Sequence, residues 1–148
     1  MKIVIVSDTH GDLGALRRVR LIERDADLWL HAGDVEAPQN AVWPFQAVKG
    51  NCDGMFEFPF RRVYGTPYGK LQIEHYPLYG SAAASLLRDG IRIFVHGHTH
   101  VREETEVAGL KVFCPGSLAL PEDSALGTYL VLEVSPQEVK PTFKKIAQ

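Results

Sequence analysis

Lys2-Ile3-Val4-Ile5-Val6-Ser7-Asp8-Thr9-His10-Gly11 is the stretch that decides the fold. Its first half is an unbroken apolar, β-branched run, the pattern of a strand buried on both faces. Its second half is polar and ends in glycine, the pattern of a loop leaving a strand's carboxyl end. A strand covered on both faces needs a layer on each side of its sheet. That requirement points to an α/β protein with a parallel element.

The following residues repeat the pattern. Leu13 to Arg24 has helical apolar spacing at Leu13, Leu16, Val19 and Leu21/Ile22, with arginines on the other face and Asp12 as its cap. Asp27 to His31 reads as a second strand ending at Gly33-Asp34. Pro38 to Trp43 reads as a short helix interrupted at Pro44. Phe45 to Val48 reads as a third strand, followed by Gly50-Asn51-Cys52-Asp53. Strands and helices therefore alternate, each strand delivering a polar, Gly-flanked loop. Ligands of such sheets bind beyond the carboxyl ends of the strands.

The rest is richer in hairpins. Arg61 to Tyr64 and Leu71 to His75 flank a turn at Thr66-Pro67-Tyr68-Gly69. Ser81 to Arg88 reads as a short helix capped by Ser81 and stopped by Gly90. Ile91 to His96 is another buried strand. Val101 to Val107 and Leu110 to Cys114 form a second hairpin, and Thr128 to Val134 with Val139 to Ile146 two late strands. The residue patterns predict two packed sheets, one mixed and one largely antiparallel, with helices outside. With 148 residues, 45% of them apolar, and no linker-like segment, residues 1–148 are expected to form one domain.

Composition excludes several functions. A formal charge of −2 argues against stable nucleic-acid binding through bulk charge. No apolar run reaches the ~18–20 residues of a membrane span, and Lys2 to Val6 is too short for a signal peptide. Cys52 and Cys114 make neither a disulfide framework nor a CxxC site. A cytoplasmic protein with reduced thiols and no membrane partner is expected.

Three of the six histidines fall at His96, His98 and His100. Neutral imidazole is the commonest transition-metal ligand, and alternate residues of an extended chain point to one side. With Asp8 and His10, two carboxylate–histidine clusters brought together by folding are expected.

Five pieces in order carry a resemblance: SDTHG at 7 to 11, GD at 33 to 34, GNCD at 50 to 53, His75, and GHTH at 97 to 100. Together they resemble the calcineurin-like metallophosphoesterase superfamily, in its small phosphodiesterase branch, which also holds the non-catalytic small subunit of retromer. The resemblance implies a four-layer αββα sandwich of two mixed β-sheets flanked by helices. It assigns Asp8, His10, Asp34 and His100 to one divalent metal ion. A second ion is assigned to Asp34, as a bridge, with Asn51, His75 and His98. Such mixed oxygen and imidazole ligands suit Mn foremost, with Ni, Fe, Co or Zn as alternatives. The implied activity is hydrolysis of a small-molecule phosphate ester, with a hydroxide shared by the two ions attacking phosphorus. The alternatives are a catalytically weak or inactive protein-binding scaffold and a phosphomonoesterase.

Each assignment has a plainer competitor. Asp8 and Asp34 also fit ordinary turns, and Asn51 an Asx-turn. His75 precedes Tyr76-Pro77 where the family usually has glycine, so it also fits a surface loop. His96 and His31 suit buried positions that orient a ligand. Asp53 suits bracing its own loop or His10. The arginines at 17, 18, 20, 61 and 62 suit solvated charge, Trp29 and Trp43 suit the core, and Gly116-Ser117 suits support of the metal edge. Phe56, Phe58, Pro59 and Phe60 suit either core packing or a homo-oligomer interface.

Cys52 stands where many phosphatases of the superfamily carry a histidine, and a small buried residue is its plain alternative. A thiol of pKa ~8.5 is a poor proton donor to a departing alkoxide near neutral pH. Aryl phosphodiesters should therefore be turned over much faster than alkyl ones. Equal rates on matched aryl and alkyl esters would count against a role for Cys52.

Overall fold

In the computed structural model, which describes residues 1–147, β1 (Lys2–Val6) is the central strand of the first sheet. It pairs in parallel with β2 (Leu28–His31), and β2 in parallel with β3 (Gln46–Ala47). On its other side it pairs antiparallel with β9 (Gly127–Val134), which carries β10 (Val139–Ile146). The second sheet runs β4 (Arg61–Thr66), β5 (Gly69–Glu74), β6 (Ile91–Val95), β8 (Leu110–Pro115), β7 (Arg102–Val107). Helices α1 (Leu13–Ile22), α2 (Gln39–Val42) and α3 (Ala82–Arg88) connect the strands.

The second sheet is mixed, not largely antiparallel. Its hairpins β4–β5 and β7–β8 lie at the edges, while β5–β6 and β6–β8 pair in parallel at the centre. Hairpins are local and show in sequence; the pairing of β6 with β8 skips β7 and does not.

Strand alternation divides the apolar residues between layers. Ile3 and Ile5 of β1 join Leu71, Ile73, Ile93, Val95 and Phe113 in the core between the sheets. Val4 and Val6 join Ala15, Leu16 and Val19 beneath α1. On the far side, Ala83, Leu86 and Leu87 of α3 cover Ile91, Phe94, Leu110 and Val112. The order is helix, sheet, sheet, helix, as the resemblance implies.

Asp12 caps α1, its Oδ1 accepting from Ala15 N–H at 3.0 Å. The helix ends at Ile22, and Leu21 and Ile22 are exposed rather than inward. The inward stripe runs instead through Leu16, Val19 and Glu23. The Glu23 carboxylate accepts the Tyr129 hydroxyl at 2.6 Å and Lys144 Nζ at 2.9 Å, and pairs with Lys2 at 3.1 Å. A polar anchor thus occupies a position that helical periodicity reserves for an aliphatic residue.

Other expectations shift. Ser81 precedes α3 but makes no side-chain cap bond, and Trp43 is 63% exposed because α2 ends before it. Trp29 packs partly buried against the core. The phenylalanine cluster is divided: Phe58 is buried, Phe56 packs against the core, and Phe60 is exposed. Among the described residues, no helix is long and apolar enough to cross a membrane.

Burial alone would raise the Glu23 carboxyl, but the Tyr129, Lys144 and Lys2 donors outweigh it and hold it below its ordinary value. A depressed carboxyl stabilises the fold above its unfolded pKa of ~4.3 and loses that contribution as pH falls through the folded value. Glu23→Gln should cost about 2 kcal/mol at pH 7, and the difference should shrink below about pH 4. Urea midpoints of both proteins across that range test this.

Candidate metal centre

Loops leaving the carboxyl ends of β1, β2, β3, β5, β6 and β8 converge on one edge of the sandwich. Asp8 and His10 follow β1, Asp34 follows β2, Asn51 follows β3, His75 follows β5, and His98 and His100 follow β6. Parallel strands of the first sheet deliver their ends to this side, as the sequence pattern implies, and the parallel β5, β6 and β8 of the second sheet add theirs.

The backbone there is unusual. Among the described residues, seven other than glycine have positive φ, and six belong to these loops: Asp8 (53°), His10 (46°), Asp34 (57°), Glu36 (52°), His98 (73°) and His100 (61°). The left-handed conformation costs a residue with a Cβ roughly 1–2 kcal/mol, so surrounding bonds must enforce it. Asp8 N–H donates to Gly33 O at 3.0 Å and His10 N–H to Asp34 O at 3.0 Å. Ser117 Oγ–H donates to the Asp8 carbonyl at 2.8 Å, which gives the Gly116-Ser117 loop its supporting role.

Asp53 holds the next two loops together. Its buried carboxylate accepts the backbone N–H groups of Asp34 (2.9 Å), Val35 (3.0 Å), Glu36 (2.9 Å) and Gly50 (2.9 Å). It braces the loops and does not reach His10. Gly50 and Gly97 allow close approach: a Cβ on Gly50 would collide with the Asp34 amide and carboxylate, and one on Gly97 with Ser7 Oγ.

The side chains form two groups that meet at Asp34. In the first, Asp8 Oδ1 lies 3.2 Å from His100 Nε2, and His10 Nε2 lies 4.0 Å from Asp34 Oδ2. In the second, His75 Nε2 lies 3.5 Å from Asp34 Oδ2 and 2.9 Å from Asn51 Oδ1, and His98 Nδ1 lies 3.2 Å from Asn51 Oδ1. His75 Nδ1–H donates to the Ala32 carbonyl at 2.7 Å, and His100 Nδ1–H to the Leu120 carbonyl at 2.7 Å. In the neutral imidazole, the Nε2 of each ring is then a lone pair. His75 Nε2 faces Asn51 Oδ1, and His100 Nε2 faces Asp8 Oδ1: acceptor against acceptor.

Asp8 Oδ1 and His10 Nε2 are buried without hydrogen-bond partners, although buried polar atoms are nearly always satisfied. Burial pushes the Asp8 carboxyl above its ordinary value despite the bond from Ser7 Oγ–H at 2.5 Å. Converging lone pairs and orphaned donor atoms are what divalent cations satisfy. Ligand atoms of Asp8, His10 and His100 lie within 4.8 Å of one another, as do those of Asp8, Asp34 and His75. These donor atoms could hold divalent cations.

The remaining histidines are committed elsewhere. His96 is buried, its Nδ1 2.9 Å from Gly97 O and its Nε2 3.0 Å from Glu103 Oε1, and it joins none of the clusters of ligand atoms among the described residues. His31 Nδ1 accepts from Gly33 N–H at 3.0 Å, so its Nε2–H donates to Thr9 Oγ1 at 2.9 Å. Burial lowers the His31 pKa to about 3 and keeps it neutral. It thereby steadies the residue between Asp8 and His10. Cys52 is exposed, which removes the buried alternative; its amide donates to Asp34 Oδ1 at 2.8 Å.

Glu36 is the site residue the sequence reading missed. Its Oε1 lies 3.6 Å from His10 Nδ1, and its carboxylate clusters with His10 and Cys52. The available signal was a second carboxylate two residues beyond Asp34. Arg62 serves the fold, its Nε–H donating to Ala47 O at 2.8 Å, and Arg61 is exposed.

Comparison with known proteins places the chain in a family. The family profile described as the calcineurin-like phosphoesterase superfamily domain matches residues 1–137. The probable metallophosphoesterase YsnB of Bacillus subtilis is 28% identical over 141 residues, covering 89% of this chain and 83% of YsnB. The phosphodiesterase YfcE of Escherichia coli K12 is 27% identical over 162 residues, covering 90% and 88%. A predicted phosphoesterase from Streptococcus pneumoniae TIGR4 has a TM-score of 0.87 at 25% identity, covering 97% and 88% of the two chains. Vps29 from Entamoeba histolytica shares the fold, with a TM-score of 0.71 at 19% identity over 99% of each chain. By its family match, its ordered motifs and the architecture that brings them together, the chain belongs to the calcineurin-like phosphoesterase superfamily.

Proposed function

We propose that this edge is a phosphodiesterase centre that holds two divalent cations. Asp8, His10, Asp34 and His100 hold one, and Asp34, Asn51, His75 and His98 hold the other, Asp34 being common to both. Metal-dependent phosphoester hydrolysis follows from the family; the dinuclear arrangement and the preference for diesters are the finer reading. The observation that carries it is the pair of rings, His75 and His100, each tied at Nδ1 to a backbone carbonyl with its Nε2 lone pair turned on another acceptor.

When bound, the cations supply Lewis acidity toward phosphoryl oxygens and an activated water near neutral pH. The chain's own residues do the rest. The Asp8 and Asp34 carboxylates are buried and aimed by left-handed loops, so little reorganisation is needed to accept charge. Asn51 and His98 are the exposed members and face the side from which an ester arrives. Two dications, two carboxylates and one hydroxide leave a net charge of about +1, which favours an anionic ester. Manganese suits the mixed oxygen and imidazole set, and the two free cysteines suit a cytoplasmic setting. The scaffold reading rests on the fold shared with Vps29; the metal-binding side chains at all seven ligand positions favour the enzyme.

Addition of Mn²⁺ should raise the melting temperature, and chelation should reverse the rise. Asp8→Asn should abolish most of that shift. With bis-p-nitrophenyl phosphate, Asp8→Asn and His98→Ala should each lower kcat/KM by on the order of 10²-fold. Metal-independent turnover, or equal turnover by these variants, would sink the reading. Faster release of p-nitrophenol from the monoester than from the diester would identify a phosphomonoesterase instead.

A further inference from the structure

We propose that Tyr76 and the groove beside it form a subsite for a planar aromatic group on the substrate, an aryl ring or a nucleobase. The proposal rests on the phosphodiesterase reading and names its substrate class.

Tyr76 stands directly after His75, at the carboxyl end of β5. The residue is 43% exposed, and its ring centroid lies 5.1 Å from the His75 ring and 5.0 Å from the His98 ring. It is edge-on to His75 at 77° and tilted 56° to His98. The ring thus borders both imidazoles assigned to the second cation. Tyr76 also lines a groove of about 440 Å³, walled besides by Pro77, Leu78, Tyr79 and Phe94. Glu74, the one charged residue of its lining, is engaged, accepting from Gln72 Nε2–H at 2.7 Å.

The volume falls in the range of small-molecule sites, which are mostly apolar and close to a few polar anchors. Here the anchor is the metal edge and the apolar wall is aromatic. A phosphoryl group held at Asn51 and His98 places one of its ester substituents against Tyr76. Aromatic rings gain from offset or edge-to-face contact beyond the area they bury, whereas an alkyl substituent gains less. Tyr79 is 75% exposed and extends the same wall. The Tyr76 hydroxyl has no hydrogen-bond partner among the described residues, so the ring face is the feature available for recognition.

The test is calorimetric titration of the Mn²⁺-loaded protein with two matched pairs: phenylphosphonate against methylphosphonate, and adenosine 5′-monophosphate against ribose 5-phosphate. The ring-bearing member of at least one pair should bind about tenfold more tightly. Which pair discriminates tells an aryl from a nucleobase preference. Tyr76→Ala should bring that ratio close to one while metal content and methylphosphonate affinity stay unchanged, and Tyr76→Phe should retain it. A ratio near one in the parent protein, or one that persists in Tyr76→Ala, overturns the subsite. An equal loss for both members of a pair overturns it too, by making Tyr76 a mere prop for the imidazoles. If no phosphonate or phosphate binds in a metal-dependent way, the metal centre itself fails and the subsite with it.

Discussion

The Asp53 carboxylate is the constraint on which the functional edge depends. One buried side chain accepts N–H groups from Asp34, Val35, Glu36 and Gly50, and so fastens the loop after β2 to the loop after β3. Without it, the left-handed conformations at Asp34 and Glu36 would have little to offset their cost. A carboxylate bonded to several amides is well satisfied even when buried. Asp53 therefore serves as a fixed negative post around which the site is built, though it need not touch a ligand.

The site itself is the reverse case. One oxygen of each of its carboxylates is held by a donor, while Asp8 Oδ1, Asp34 Oδ2 and the imidazole nitrogens are aimed at one another. Buried Asp8 Oδ1 and His10 Nε2 have no partner, and two Nε2 lone pairs face oxygens. Such an arrangement weakens the fold locally and is tolerated because the surrounding scaffold is rigid: a β1 buried from Ile3 to Val6, Ser117 on the Asp8 carbonyl, and His31 on Thr9. On the proposed reading, cations would satisfy these atoms. The fold's stability and its function thus draw on different residues at the same edge.

Most of the strand skeleton was legible because it rests on local signals. β1 and β6 are short apolar runs, Asp12 is a side-chain cap, and GNCD and GHTH carry their glycines where neighbouring chains pass within contact. The misreadings share a cause. Glu23 replaces an aliphatic residue in the α1 stripe because Tyr129 and Lys144, more than 100 residues away, supply donors. Trp43 lies outside the core because α2 stops early. The second sheet is mixed because β6 pairs with β8 across an intervening hairpin. Glu36 escaped notice because its relevance lies in its closeness to His10.

Residue order alone determined which side chains could carry chemistry and at which strand ends they would lie, since alternation, glycine placement and motif spacing are properties of the local chain. The roles within that set were decided only in three dimensions. His96 and His98 are two residues apart and chemically identical. One is spent on Glu103 and a backbone carbonyl, and the other opens onto Asn51 and His75. What separates them is the set of partners that the other sheet and distant loops bring within hydrogen-bond range, and no local pattern encodes that.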